Sequence, residues 1–200
     1  MKKLGILVVA TVLFAFVGCK NEKKDMDQMD GMNDTIQMDS TSEQEAIQEE
    51  PKTVSVIMES KSGSAATGEV YFTETNGVVT MEAKFNGLKP GTHAIHIHEK
   101  ADCSSADGKS SGGHWNPTHQ KHGKWGDAAG YHKGDIGNFV ADAEGHGSIT
   151  MQTDEWCIGC GDENKDIIGK AVIVHDGTDD FTTQPTGDAG GRVACGGIIK

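Results

Sequence analysis

Aromatic residues are scarce in this 200-residue chain: six Phe, three Trp and two Tyr, against 27 Gly. So few large rings beside so much glycine argue against a helical protein and for a turn-rich β protein. Basic charge is also short. Eighteen Lys and Arg stand against 30 Asp and Glu, a net charge of −12. A chain this acidic is a poor candidate for binding nucleic acid, and no such partner is expected. No apolar run reaches the ~20 residues that span a bilayer as a helix. The longest, Leu4 to Val17, is 14 residues.

That short run follows Lys2 and Lys3 and ends at Phe16-Val17-Gly18-Cys19. A positive start, a short apolar stretch and a small residue before Cys read as an export signal over residues 1–19. The pattern resembles the bacterial lipobox, with Cys19 as the lipidated residue, although Phe16 stands where Leu is usual. The alternative is ordinary secretion with an incidental Cys. Both place the protein outside the cytoplasm, facing a periplasm or the cell exterior, where disulfides persist. Lys20 after Cys19 favours onward sorting to an outer membrane. Without Lys2 and Lys3 the charge is 16 − 30 = −14. If Cys19 carries lipid, Cys103, Cys157, Cys160 and Cys195 remain, and four cysteines allow three pairings.

Residues 20–51 form a separate region. Ten acidic residues and three lysines fall within 20–50, with almost nothing to bury. The composition predicts a disordered tether, reaching ~30 Å from a membrane anchor. Met26, Met29, Met32 and Met38 lie within it. Thioethers suit Cu(I), so a copper-collecting arm is one reading. A low-complexity linker is the favoured one, because no His accompanies the Met residues.

From residue 52 the pattern becomes periodic. Val54, Val56 and Met58 alternate with polar residues, as do Val70 and Phe72, and Val79, Met81 and Ala83. Period two predicts strands with one buried face. Asn76-Gly77 predicts a tight hairpin turn. Further strands are predicted near 92–99, 135–142, 146–152, 169–175 and 192–199. The stretch 100–134 has Gly, Pro, His and Asp without period, and a loop that long is usually functional. The whole predicts an antiparallel sandwich or barrel.

The chemistry concentrates in histidine. In His93-Ala94-Ile95-His96-Ile97-His98 a strand would turn His96 and His98 to one face and His93 to the other. Two imidazoles on one face suit one metal. A second group, His114, His119, His122, His132 and Asp135, sits among Gly112-Gly113, Asn116-Pro117 and Gly123, which argues for a loop. Three His and one Asp would make a tetrahedral zinc site, but spacing does not say which four residues. His175, ending the apolar run Ala171 to Val174, could join His96 and His98 in a copper-type imidazole site.

HAIHIHE, GGHWNP, KHG, HKGDIGN, IVHDGTDD and GDAGGRVACG occur in that order. Over residues 52–200 the chain resembles the copper–zinc superoxide dismutases. The resemblance implies an all-β fold, an eight-stranded antiparallel Greek-key barrel like an immunoglobulin sandwich, with long metal-binding and electrostatic loops. It implies copper held by His96, His98, His114 and His175, and zinc held by His114, His122, His132 and Asp135, with His114 bridging and His119 left out. It implies Arg192 as the group that docks superoxide, Asp179 joining His96 to His122 behind the metals, His93 as a supporting residue, and a Cys103–Cys195 disulfide. The implied activity is dismutation of superoxide to oxygen and hydrogen peroxide.

Some features stand outside that pattern. His119 and His146 read as exposed loop residues. Trp115, Trp125 and Trp156 read as packing. Cys157-Ile158-Gly159-Cys160 reads first as a local disulfide, with a redox pair or soft-metal site as alternatives. Residues 176–191 contain four Asp and no Lys or Arg, so attraction of an anion is expected to fall to Lys121, Lys124 or Lys133. A copper-binding or copper-delivery protein on the same barrel is the competing function. The oligomeric state is left open, with a homodimer as one outcome.

Overall fold

The structure is a computed structural model that describes residues 50–200. The expected signal, Cys19 and the tether Met residues lie outside the described residues. Among the described residues no helix is long and apolar enough to cross a membrane.

Eight strands form: β1 (Lys52–Ser60), β2 (Thr67–Thr75), β3 (Val78–Asn86), β4 (Gly91–His98), β5 (Gly137–Ala141), β6 (Gly147–Thr153), β7 (Ala171–His175) and β8 (Arg192–Gly197). They pair in the order β1-β2-β3-β6-β5-β4-β7-β8 and close into a barrel, every pair antiparallel. The chain jumps from β3 to β4 and from β6 to β7 across other strands, which makes the topology a Greek key. The one helical element among the described residues is a 3₁₀ turn at Lys109–Ser111.

Period two accounts for the filling of the barrel. Val54, Val56, Met58, Val70, Phe72, Val79, Met81, Ala83 and Phe85 are buried while their chain neighbours face outward. The β2–β3 turn has positive φ at both Asn76 (51°) and Gly77 (76°), and Thr75 pairs with Val78 across it. That is the two-residue turn whose twist matches the flanking strands.

β4 departs from simple alternation, being buried on both faces from His93 to His98. Ile95 and Ile97 join the barrel core. His96 and His98 point the other way, beneath the two long connections, 99–136 and 176–191. β7 is likewise buried throughout: Val172 and Val174 face the core, and Ile173 packs outside it with Ala171 and Cys195. The outer face of β4 and β7 is thus a roofed floor, and the histidines stand on it.

Candidate metal centre

Strand register brings the first group together. His96 pairs with Ile173 and His98 with Ala171, so His175, two residues beyond Ile173, falls on the same face, diagonal to His96. His114 is added by the loop, through a bridge between His98 and His114 and a Trp115 N–H bond to the Ile97 carbonyl at 2.8 Å. The structure gathers His96, His98, His114 and His175 in one cluster. His114, His122, His132 and Asp135 form a second, all eight placements being buried and each cluster's ligand atoms lying within 4.8 Å of one another. His114 belongs to both.

The hydrogen bonds decide which ring nitrogens remain available. His98 Nδ1 lies 3.0 Å from the Gly112 carbonyl and His175 Nδ1 lies 3.3 Å from the Gly190 carbonyl. Carbonyls only accept, so these nitrogens carry the hydrogen and each Nε2 keeps a lone pair. Asp179 sets the opposite tautomer elsewhere, its Oδ2 lying 2.8 Å from His96 Nε2 and its Oδ1 2.9 Å from His122 Nε2. What is left is His96 Nδ1, His98 Nε2, His114 Nε2, His122 Nδ1, His132 Nδ1 and His175 Nε2, all buried with no hydrogen-bond partner. His122 Nδ1 and His132 Nδ1 do lie 3.0 and 3.3 Å from Asp135, but without hydrogen-bond alignment, as nitrogens would if they and the carboxylate faced a common point. Six orphaned buried nitrogens are a large cost for a fold to carry, and metal ions at the two clusters would remove it. All-imidazole donors suit copper, and His₃Asp suits zinc. The residues present fit both ions.

The electrostatics divide the rings. Burial first, then the neighbouring rings, push His98 well below its ordinary pKa. Burial likewise lowers His114 to about 4 and His175 to about 3, so these rings are neutral and able to ligate at neutral pH. Burial also opposes charge on His122, yet the Asp135 and Asp179 carboxylates beside it raise it to about 9. Burial works against charge on the two carboxyls as well, but hydrogen bonds from the histidines hold Asp135 and Asp179 far below the carboxylate range.

Arg192 sits opposite His175 in the β7–β8 pairing, at a register shift. Its Nη1 donates to the Gly108 carbonyl (2.8 Å) and Ser111 Oγ (3.1 Å), and its Nη2 to the Gly112 carbonyl (2.8 Å). Those acceptors belong to the loop that the Cys103–Cys195 disulfide fastens to β8. His93, on the core side of β4, lies 2.7 Å from the His175 carbonyl and 2.8 Å from the Lys89 carbonyl, and so steadies the end of β7. Arg192, His98 and His175 line an open depression of about 280 Å³ with Asp107, Lys109 and Thr186.

Other expectations fare differently. His119 and His146 are exposed and in neither cluster. Cys157 and Cys160 are disulfide-bonded to each other. Trp115 and Trp156 are buried and Trp125 packs against the core. Lys121, Lys124 and Lys133, the lysines expected to attract an anion, do not line the depression, and Lys133 is paired with Glu155. Lys109 lines it instead. Of the acidic residues in 176–191, Asp176 pairs with Lys89 and Asp180 accepts N–H bonds from Thr182 and Thr183. Gly187, with φ +69°, was not singled out from the sequence either. A Cβ there would collide with the Asp179 carboxylate and the His122 ring.

Comparison with known proteins gives a concordant picture. A family model described as copper/zinc superoxide dismutase (SODC) matches residues 66–198. Among solved structures, a double mutant of a SOD-like protein from Bacillus subtilis is 31% identical, with a TM-score of 0.65 over 73% of this chain and 97% of that one. The clock protein EA4 is 35% identical, with a TM-score of 0.64 over 74% of this chain and 96% of that one.

Proposed function

Because the chain belongs to the copper/zinc superoxide dismutase family, we propose that it converts two superoxide anions and two protons into one molecule of oxygen and one of hydrogen peroxide. The observation that carries this reading is the convergence of six unpartnered buried ring nitrogens on two points that share His114. His96, His98, His114 and His175 would hold copper, and His114, His122, His132 and Asp135 would hold zinc. Copper, when bound, supplies one-electron chemistry in both directions, and zinc fixes the far side of the shared ring.

The chain's own residues do the rest. Arg192 is permanently charged, is pinned by three hydrogen bonds, and faces the depression, so it can orient a small anion beside His98 and His175. His114 Nε2 has no protein partner and can hold a proton for the peroxide-forming half of the cycle. Asp179 fixes two ring orientations through one carboxylate, which keeps the free nitrogens aimed inward. The roof of loops leaves the depression as the approach.

The test is copper and zinc stoichiometry with dismutase activity on one sample, for the native chain and for His114→Ala. The expected result is one of each metal with fast turnover, and for His114→Ala a fall of at least about 10²-fold with disturbance of both metals. Copper passed stoichiometrically to an acceptor without turnover would instead support copper delivery on the same barrel. A His114→Ala variant with full activity and both metals would overturn the shared-ligand reading. We also propose export and lipid anchoring at Cys19, supported by the sequence of residues 1–19. Mass measurement of the mature N-terminus reads this directly, and an unmodified Cys19 would overturn it.

A further inference from the structure

The Cys157–Cys160 disulfide has a different standing from Cys103–Cys195. The latter joins residues 92 apart in sequence and the former residues three apart. A crosslink constrains the unfolded chain in proportion to the logarithm of the loop it closes, so the local bond contributes least where the long one contributes most. The local loop is, moreover, held by other means. The Asp166 carboxylate accepts N–H bonds from Gly159 (2.9 Å), Gly161 (2.8 Å) and Ile168 (3.0 Å). Cys157 N–H donates to the Lys165 carbonyl at 2.8 Å, and Ile167 N–H donates to the Cys157 carbonyl at 3.1 Å. Ile158 N–H donates to the Glu74 carboxylate at 2.7 Å, and its side chain is buried in the core. With the bond open, the two sulfurs would stay close.

The two sulfurs are also unlike each other. Cys157 is buried and Cys160 is exposed. The Asp162 N–H points at Cys160 Sγ from 3.5 Å. An N–H aimed at an exposed sulfur stabilises its thiolate. Asp166 lies near both sulfurs, but its oxygens are taken by three N–H donors, which disfavours a metal site of these three residues.

We propose that Cys157 and Cys160 form a reversible redox pair that exchanges two electrons with an external dithiol. A thiolate of the dithiol attacks the exposed Cys160 sulfur, the Cys157–Cys160 bond breaks, and Cys157 leaves and takes up a proton. The second thiol of the reagent then attacks the mixed disulfide, Cys160 leaves and is protonated, and the dithiol departs as a disulfide. The pair gains two electrons and two protons, and the dithiol loses them. In reverse, Cys160 attacks and Cys157 closes the ring.

The experiment uses the native full chain, equilibrated in graded ratios of reduced to oxidised dithiothreitol, acid-quenched, alkylated and mapped by mass. The pair should open reversibly over a range in which Cys103–Cys195 stays closed, and Cys160 should be alkylated at least about tenfold faster than Cys157. The proposal is overturned if the bond opens only together with Cys103–Cys195 under denaturing conditions, or if Cys157 is the faster thiol.

Discussion

At the scale of single residues, the approach to the metal centre is governed by few charges. Lys109, exposed on the 3₁₀ turn, and Arg192 are the basic residues that line the depression, and Asp107 is the acidic one. Lys109 pairs with Asp107 at 3.1 Å, an exposed contact that ions in solution screen. Lys109→Gln should lower kcat/KM about two- to tenfold and flatten its fall with added salt. The triple change of Lys121, Lys124 and Lys133 to Gln should leave both nearly unchanged, and the reverse pattern would assign the steering to those lysines. Gly187 makes a steric prediction. Gly187→Ala, at positive φ and against Asp179 and His122, should reduce zinc retention without replacing a ligand. Metal content after dialysis checks this, and full zinc retention would count against it.

At the scale of elements, the loop carrying Gly108, Ser111 and Gly112 is the mount for Arg192, and Cys103–Cys195 bolts that mount to β8. Closing so long a loop stabilises by up to ~4–5 kcal/mol in the chain-entropy view. Cys195→Ser should therefore lower Tm by several degrees. It should also raise KM more than a purely global loss of stability would, because the guanidinium loses its acceptors as the loop loosens. Unchanged kinetics at a lowered Tm would separate the mount from the staple. Elements of this kind were unevenly legible in the sequence. The strands of the barrel could be read because one buried face imposes a period of two, and Asn76-Gly77 because few other pairs accept positive φ twice. His96 and His98 could be paired from strand geometry alone. His175 could not, since its place depends on the register between β4 and β7, and His114, His122 and His132 sit on loops without period, so the ordered motifs alone distinguished them from His119. The mount for Arg192 is made largely of main-chain carbonyls, which leave no side-chain signature. Lys109 was hidden for a related reason: it is one lysine in a polar loop, and only the folded path of residues 99–136 brings it to the mouth.

At the scale of the whole molecule, closure of the barrel gives β4, β7 and β8 a rigid outer face on which two long loops can be laid, and the centre is assembled from both loops and three strands. His114 belongs to both clusters, and Asp179 gives one oxygen to a ring of each. Two ions held there, as proposed, would therefore share a thermodynamic cycle. Whatever factor zinc adds to the affinity for copper by ordering His114 and Asp179, copper must add to the affinity for zinc, and couplings of this sort run to about 5–150-fold. Titrating each metal in the absence and presence of the other should return two equal ratios, both above one. Ratios of one would mean that the shared ring and carboxylate are already as ordered in the empty protein as in the filled one. Coupling through the single carboxylate of Asp179 would disfavour half-loaded forms of the proposed centre relative to forms with two ions or none.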